Sequence, residues 1–192
     1  MRRSRFSLVL LFGLVAMANA CSYNSLQTLD EQINNAQGQI SVQLQRRADL
    51  IGNLVATVKG VTKQEDSVFL GIANARAKLA GAAASKDIDS MGVANAAMQA
   101  PLSRLLALTE NYPTLRSSDN FKQLQDEIAG TENRVAVART DYNTAVKEFN
   151  TKIRQFPTVI TAKVIGLGKP RPYFAVTSPD AANAPKVDFS KP

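Results

Sequence analysis

One cysteine, no histidine and no tryptophan occur among the 192 residues, and that inventory narrows the chemistry before any pattern is sought. Imidazole acid–base catalysis, His/Cys zinc sites and Cys-His nucleophilic pairs need residues that the chain lacks. Serine and lysine are present, but no S-x-x-K setting, no P-loop and no Glu-x-x-His pair occurs. Carboxylates remain, and the neighbours Asp30 and Glu31 and the neighbours Asp126 and Glu127 are the only groups from which a carboxylate-metal hydrolase reading is built. Composition therefore predicts no catalytic residues, no bound cofactor and no resident metal.

The single thiol, Cys21, sits where a chemical role is available to it. Arg2, Arg3 and Arg5 precede an uncharged apolar run from Phe6 to Ala20 that ends in Ala18-Asn19-Ala20, the order of a basic region, an apolar region and a small-residue cleavage site. That run is about 15 residues, roughly 22 Å as a helix against a hydrocarbon core of about 30 Å, so it reads as an export leader rather than a permanent span. The basic flank belongs on the cytoplasmic side, which puts the rest of the chain outside the cytoplasmic membrane. A sole cysteine after such a leader resembles the lipobox of bacterial lipoproteins, in which the thiol is diacylated, although Ala18 stands where Leu is usual and Asn19 is uncommon at its position. Lipidation of Cys21, an uncleaved anchor and simple secretion all stay open, with lipidation preferred. Ser22 after the modified cysteine implies outer-membrane sorting, facing the periplasm, if the host is Gram-negative.

The formal charge of +7 invites a nucleic-acid reading, but its distribution argues against one. Three of the basic residues are in the leader, and from Lys152 onward seven basic residues face only Asp180 and Asp188. The span between is close to neutral, so no nucleic-acid partner is expected.

What must position these residues is helical. From Leu26 to Phe156 the only prolines are Pro101 and Pro113, and apolar residues recur at spacings of three and four. Four helices follow. The first carries Leu26, Leu29, Ile33, Ala36, Ile40, Leu44, Ala48, Ile51, Val55 and Val58, with consecutive steps of four near Leu44 that predict local unwinding beside Arg46, Arg47 and Asp49. Thr62-Lys63-Gln64-Glu65 reads as a capping box for a second helix reaching Ala84, with Val68, Ile72, Ala75, Leu79 and Ala82 inward. Ser85-Lys86-Asp87 starts the third, which carries Met91, Ala94, Met98, Leu102, Leu105, Leu108 and Tyr112 and should kink or restart at Pro101. The fourth, capped by Ser118 or Asp119, lines up Phe121, Leu124, Ile128, Thr131, Val135, Ala138, Tyr142, Ala145, Phe149, Ile153 and Phe156. Thr131 is expected to bond back to its own helix.

Short connections favour antiparallel neighbours, so the expected fold is all-α, an elongated antiparallel up-down four-helix bundle with two long and two shorter helices. The domain plan is a leader over 1–20, the bundle over 21–157, an apolar and basic strap over 158–175 and a disordered tail over 176–192. The strap contains Val164-Ile165-Gly166-Leu167-Gly168 and Lys169-Pro170-Arg171-Pro172-Tyr173-Phe174, whose prolines and glycines forbid a long helix.

Several blocks of the chain resemble the LemA family of bacterial membrane-associated proteins. They include Val42-Gln43-Leu44-Gln45-Arg46-Arg47-Ala48-Asp49-Leu50-Ile51, Glu110-Asn111-Tyr112-Pro113, Leu124-Gln125-Asp126-Glu127-Ile128, and Gly130-Thr131-Glu132-Asn133-Arg134-Val135-Ala136-Val137-Ala138-Arg139. Arg154-Gln155-Phe156-Pro157 and Lys169-Pro170 extend the likeness to the strap. Gly52, standing where Pro is usual, and Pro101 depart from the family pattern. The resemblance implies a helical bundle, an N-terminal membrane tether and no established biochemical activity.

The resulting expectation is a membrane-anchored structural or protein-interaction module of the cell envelope, with an envelope protein as partner. Its contact surface is expected at Arg46, Arg47, Asp49, Glu132, Arg134 and Arg139. The alternative is a binder of anionic lipid or envelope polymer through the basic C-terminal segment, with Lys163, Lys169 and Arg171 at the membrane.

Overall fold

The computed structural model describes the backbone of residues 2–62 and 65–175, and side chains from Ser22 onward within those spans. It is all-helical, with no strand among the described residues. The helices are α1 (Arg2–Lys59), α2 (Asp66–Ser85), α3 (Ile88–Leu108), α4 (Pro113–Ser117), α5 (Asp119–Lys152) and α6 (Thr158–Val164), with a 3-10 turn at Thr109–Asn111 between α3 and α4. The expected tail over 176–192 and the Lys63-Gln64 part of the expected capping box lie outside the described residues. So does the Cys21 side chain, although its backbone belongs to α1.

The chain forms two compact units. Among the described residues, one combines 2–38 with 138–173, and the other combines 39–62 and 65–137 with 174–175.

In the second unit the buried row of α1 is Ile40, Leu44, Arg47, Ile51, Leu54 and Val58, with Ala48 beside it. The steps between these residues are 4, 3, 4, 3 and 4, the regular alternation of a helix that keeps one face inward. The irregular steps expected near Leu44 came from counting apolar residues only; the arginine fills the missing position.

Alanine and glycine make α2 slim, and it packs against α3 with Phe69, Ile72, Ala75, Leu79, Ala82 and Ala83 buried. Its start differs from the expected capping box. Glu65 precedes the first turn without a side-chain cap, and the Thr62 hydroxyl donates instead to the Val58 carbonyl at the end of α1. The α2–α3 corner turns on Lys86, whose φ of 55° is left-handed, a conformation that costs a non-glycine residue about 1–2 kcal/mol.

Asp87 then caps α3 as expected, accepting from the Ser90 amide at 3.0 Å. The Ser90 hydroxyl and amide bonds hold the Asp87 carboxyl below its usual pKa. Helix α3 passes through Pro101 without a restart and ends at Leu108. Tyr112-Pro113 then opens α4, with the proline in its first turn, where a missing N–H costs nothing.

Helix α5 keeps the expected face inward through Phe121, Ile128, Thr131, Val135, Ala138, Tyr142 and Phe149, with Val146 rather than Ala145 at the buried position, and Ile153 just past its end is buried too. Thr131 bonds back to the Ile128 carbonyl at 2.6 Å, which satisfies its hydroxyl inside the core. Ser118 does not cap α5 through its side chain; its hydroxyl turns to Leu115 O at 2.7 Å. The helix stops at Lys152, and Phe156, expected inside, is 81% exposed because it lies in the turn before α6.

Candidate functional site

The polar groups of the second unit converge on Arg47. Its side chain is 2% exposed, and one Nη donates to Asn95 Oδ1 of α3 at 2.9 Å and to the Glu132 carboxylate of α5. Gln99, one turn beyond Asn95, donates to the same Glu132 oxygen at 3.3 Å. Burial lowers the pKa of the Arg47 guanidinium, and its Nε has no hydrogen-bond partner. A buried guanidinium needs compensation by charge and hydrogen bonds, and Glu132 with Asn95 supplies most of it.

Beside this node lies a cleft of about 550 Å³ lined by Arg47, Leu54, Gln99, Leu102, Leu106, Gln125, Asp126, Ile128, Ala129, Glu132 and Asn133. Its floor is aliphatic and its rim carries amides and two carboxylates. An apolar surface with a few convergent polar groups has the character of a binding cleft.

Around the node the other expected contact residues are dispersed. Arg46 is exposed and pairs with Glu127 at 3.2 Å. Asp49 accepts from Gln45 at 3.2 Å and stands 3.8 Å from Arg76. Arg76 also donates from Nε to the Ala48 carbonyl at 2.8 Å, and its guanidinium lies across Gly52, where a Cβ would stand 2.7 Å from its Cζ. Glycine at 52 is thus the space through which Arg76 reaches α1. Arg134 lies in a shallow depression with Asp119, Lys122, Gln123, Asp126 and Glu127.

The structure therefore corrects one expected surface residue: Arg47 is interior. Arg46, Asp49 and Arg134 lie at the surface, and Glu132 is half-exposed as the outer partner of the Arg47 pair. Asn95 and Gln99 were not foreseen. The signal for Asn95 was its place in the row Met91, Asn95, Met98, Leu102, whose spacing continues the buried face of α3.

The first unit holds a different arrangement. Asn150 of α5, itself buried, clamps the backbone of Arg171: its Nδ2 donates to the Arg171 carbonyl at 2.9 Å and its Oδ1 accepts from the Arg171 amide at 2.8 Å. Tyr142 donates to the next carbonyl, Pro172 O, at 3.0 Å. The Arg171 guanidinium reaches Asp30 of α1 at 2.6 Å. Lys163 and Lys169 are exposed, whereas Arg171, grouped with them from sequence, is engaged within the protein. Arg139 belongs to this unit, partly buried, with its pKa lowered by desolvation. At the start of the unit, the Thr158 hydroxyl opening α6 lies 3.5 Å from the hydroxyl of Ser22, and both residues are buried.

Among the described residues no cluster of three or more His, Cys, Asp or Glu side chains is placed to hold a metal ion. Among those residues no helix is long and apolar enough to cross a membrane.

These features define an all-helical protein whose helices are tied by arginine-centred polar contacts. The chain belongs to the LemA family, which it matches over residues 36–189. It is similar to the magnetosome proteins MamQ 2 and MamQ 1 of Paramagnetospirillum magneticum, each 29% identical over 175 residues that cover 79% of this chain and 64% of theirs. The magnetosome protein MamQ of Magnetospirillum gryphiswaldense is 26% identical over 167 residues, covering 75% of this chain and 61% of its own. The chain thus spans less than two thirds of the length of these relatives.

Proposed function

We propose that this protein is a membrane-anchored, non-catalytic structural or protein-interaction module of the cell envelope. It is held through Cys21 on the outer side of the cytoplasmic membrane, or at the periplasmic face of the outer membrane in a Gram-negative host. The observation that carries this reading is the burial of Ser22 against Thr158. The residue after the thiol is already part of the folded body, so an acyl chain on Cys21 would hold that body at the bilayer without a flexible spacer. The leader order and the family support the same reading. In it, α1, α2, α3 and α5 act as the four helices of an up-down bundle, for which the bonds from Arg47 of α1 to α3 and α5 are support. The cleft beside Glu132, with exposed Arg46 and Arg134 near it, is the contact face for an envelope protein, while Asp49 lies apart beside Arg76 of α2.

A second reading, contact with anionic lipid or envelope polymer through the basic C-terminal segment, is favoured by the exposure of Lys163 and Lys169 and weakened by the Asp30 pairing of Arg171. Fractionation separates the possibilities. With a lipidated tether, Cys21→Ser leaves the membrane fraction or stays unprocessed, and salt washing does not release the parent protein. Release of the parent by salt alone would support the charge-driven contact instead, since screening acts on exposed charges. Full retention of the leader in both forms would mean an uncleaved anchor.

A further inference from the structure

The segment after α5 turns apolar side chains outward where a soluble protein would turn them in. Phe156 and Val164 are each 81% exposed and Ile160 is 53% exposed, while Thr158, Thr161 and Ala162 fill the buried side of α6. Ile160 and Val164 are one turn apart and share the outer face. Lys163 lies on the same outer side and Lys169 follows, both exposed. A short helix with aliphatic residues outward, an aromatic at its entrance and lysines at its flank has the composition of an interfacial membrane helix. Its location decides the occupant. Thr158 in its first turn touches Ser22, the residue after Cys21, so whatever surface holds an anchor at Cys21 also lies within reach of α6.

We propose that α6 is a second membrane contact, with Phe156, Ile160 and Val164 entering the headgroup and upper acyl region of the bilayer and Lys163 and Lys169 meeting anionic headgroups. This rests on the tether proposed above. It differs from a purely electrostatic patch because the contact is apolar, and the lysines add attraction without being its basis. Lipid on Cys21 would fix the body at one point only, so a second apolar contact at the same end would strengthen the attachment and hold the body in one orientation.

The absence of tryptophan makes the test direct. Phe156→Trp and Val164→Trp each introduce a single reporter at an exposed position where the fold is not disturbed. Asn35→Trp, exposed on α1 and thirteen residues beyond Ser22, serves as the reference. The protein extracted from membranes in its processed form, anchor in place, is reconstituted in vesicles of mixed phosphatidylglycerol and phosphatidylcholine and floated. The expected result is blue-shifted emission from the Phe156→Trp and Val164→Trp reporters and quenching by bromolipids several-fold stronger than for Asn35→Trp. If the chain floats but both reporters are as open to aqueous iodide as Asn35→Trp, the tether stands and the α6 contact is refuted. If the reporters are blue-shifted yet untouched by bromolipid, another protein surface covers α6 and the proposal fails. If the chain does not float at all, the tether and the contact fail together.

Discussion

Two arginines bridge helices in this protein, and they do so by opposite physics. Arg47 holds its unit together through a buried side chain: the guanidinium is the object packed among three helices, and Glu132 and Asn95 exist around it to offset its desolvation. Arg171 holds its unit through its backbone. Asn150 takes both its amide and its carbonyl, while the guanidinium, 40% exposed, reaches Asp30 from the surface. The first arrangement depends on a charge whose loss of partner is costly, and the second on two main-chain hydrogen bonds to which the charge adds little. The comparison also separates two tasks: a polar node beside a cleft in one unit, and a pinned strap leading from an outward-facing apolar helix in the other.

Four single substitutions and one double variant sharpen the contrast. The largest effect is expected from Glu132→Ala, which leaves a buried guanidinium without its counter-charge and should destabilise by about 3 kcal/mol in a urea melt, the lower end of the range because Glu132 is itself half-exposed. Combining Glu132→Gln with Arg47→Met should recover most of that, leaving a deficit of about 1 kcal/mol from the Asn95 amide that loses its partner. A double variant no better than the single one would mean that the node is not a compensated charge. Next is Asn150→Ala, expected to cost about 2 kcal/mol and to abolish hydrogen-exchange protection of the Arg171 amide. Asp30→Asn should cost about 1 kcal/mol and leave that protection in place, since the Arg171 end of the pair is 40% exposed and the asparagine oxygen can still accept from the guanidinium. Equal losses for Asn150→Ala and Asp30→Asn would erase the distinction between backbone and charge. Smallest is Gly52→Ala, near zero: a gain of about 1 kcal/mol in helix propensity is offset by displacing the Arg76 bond to Ala48.

The helical period was legible because apolar residues fell on one face over many turns. That rule placed Leu26, Ile33, Ile51, Met98, Ile128 and Phe149 correctly. The cap at Asp87 and the back-bonding of Thr131 were legible because each is a local property of a few residues. What escaped were the polar residues of the interior. Arg47, Asn95 and Asn150 occupy positions in buried rows, but an apolar count passes over them, and only the three-dimensional partner makes their burial tolerable. Phe156 failed in the other direction: its spacing continued the face of α5, but the helix ends at Lys152, so the ring points out. The Thr62 box failed because its hydroxyl found the Val58 carbonyl within its own turn, a competition that a sequence pattern does not resolve. Of the site residues, the exposed charges were foreseen by type, while the cleft formed by Gln99, Leu102, Leu106 and Gln125 was not, because it joins α3 to α5 across a distance in sequence.

The central claim is that one part of the protein faces lipid and another faces protein. The most direct measurement places a photocrosslinking amino acid at Val164 or at Gln125 in the full chain, in intact cells, and asks what each captures. The account predicts lipid adducts from Val164 and a discrete protein adduct from Gln125. Protein adducts from Val164 without lipid, together with no adduct from Gln125, would contradict it.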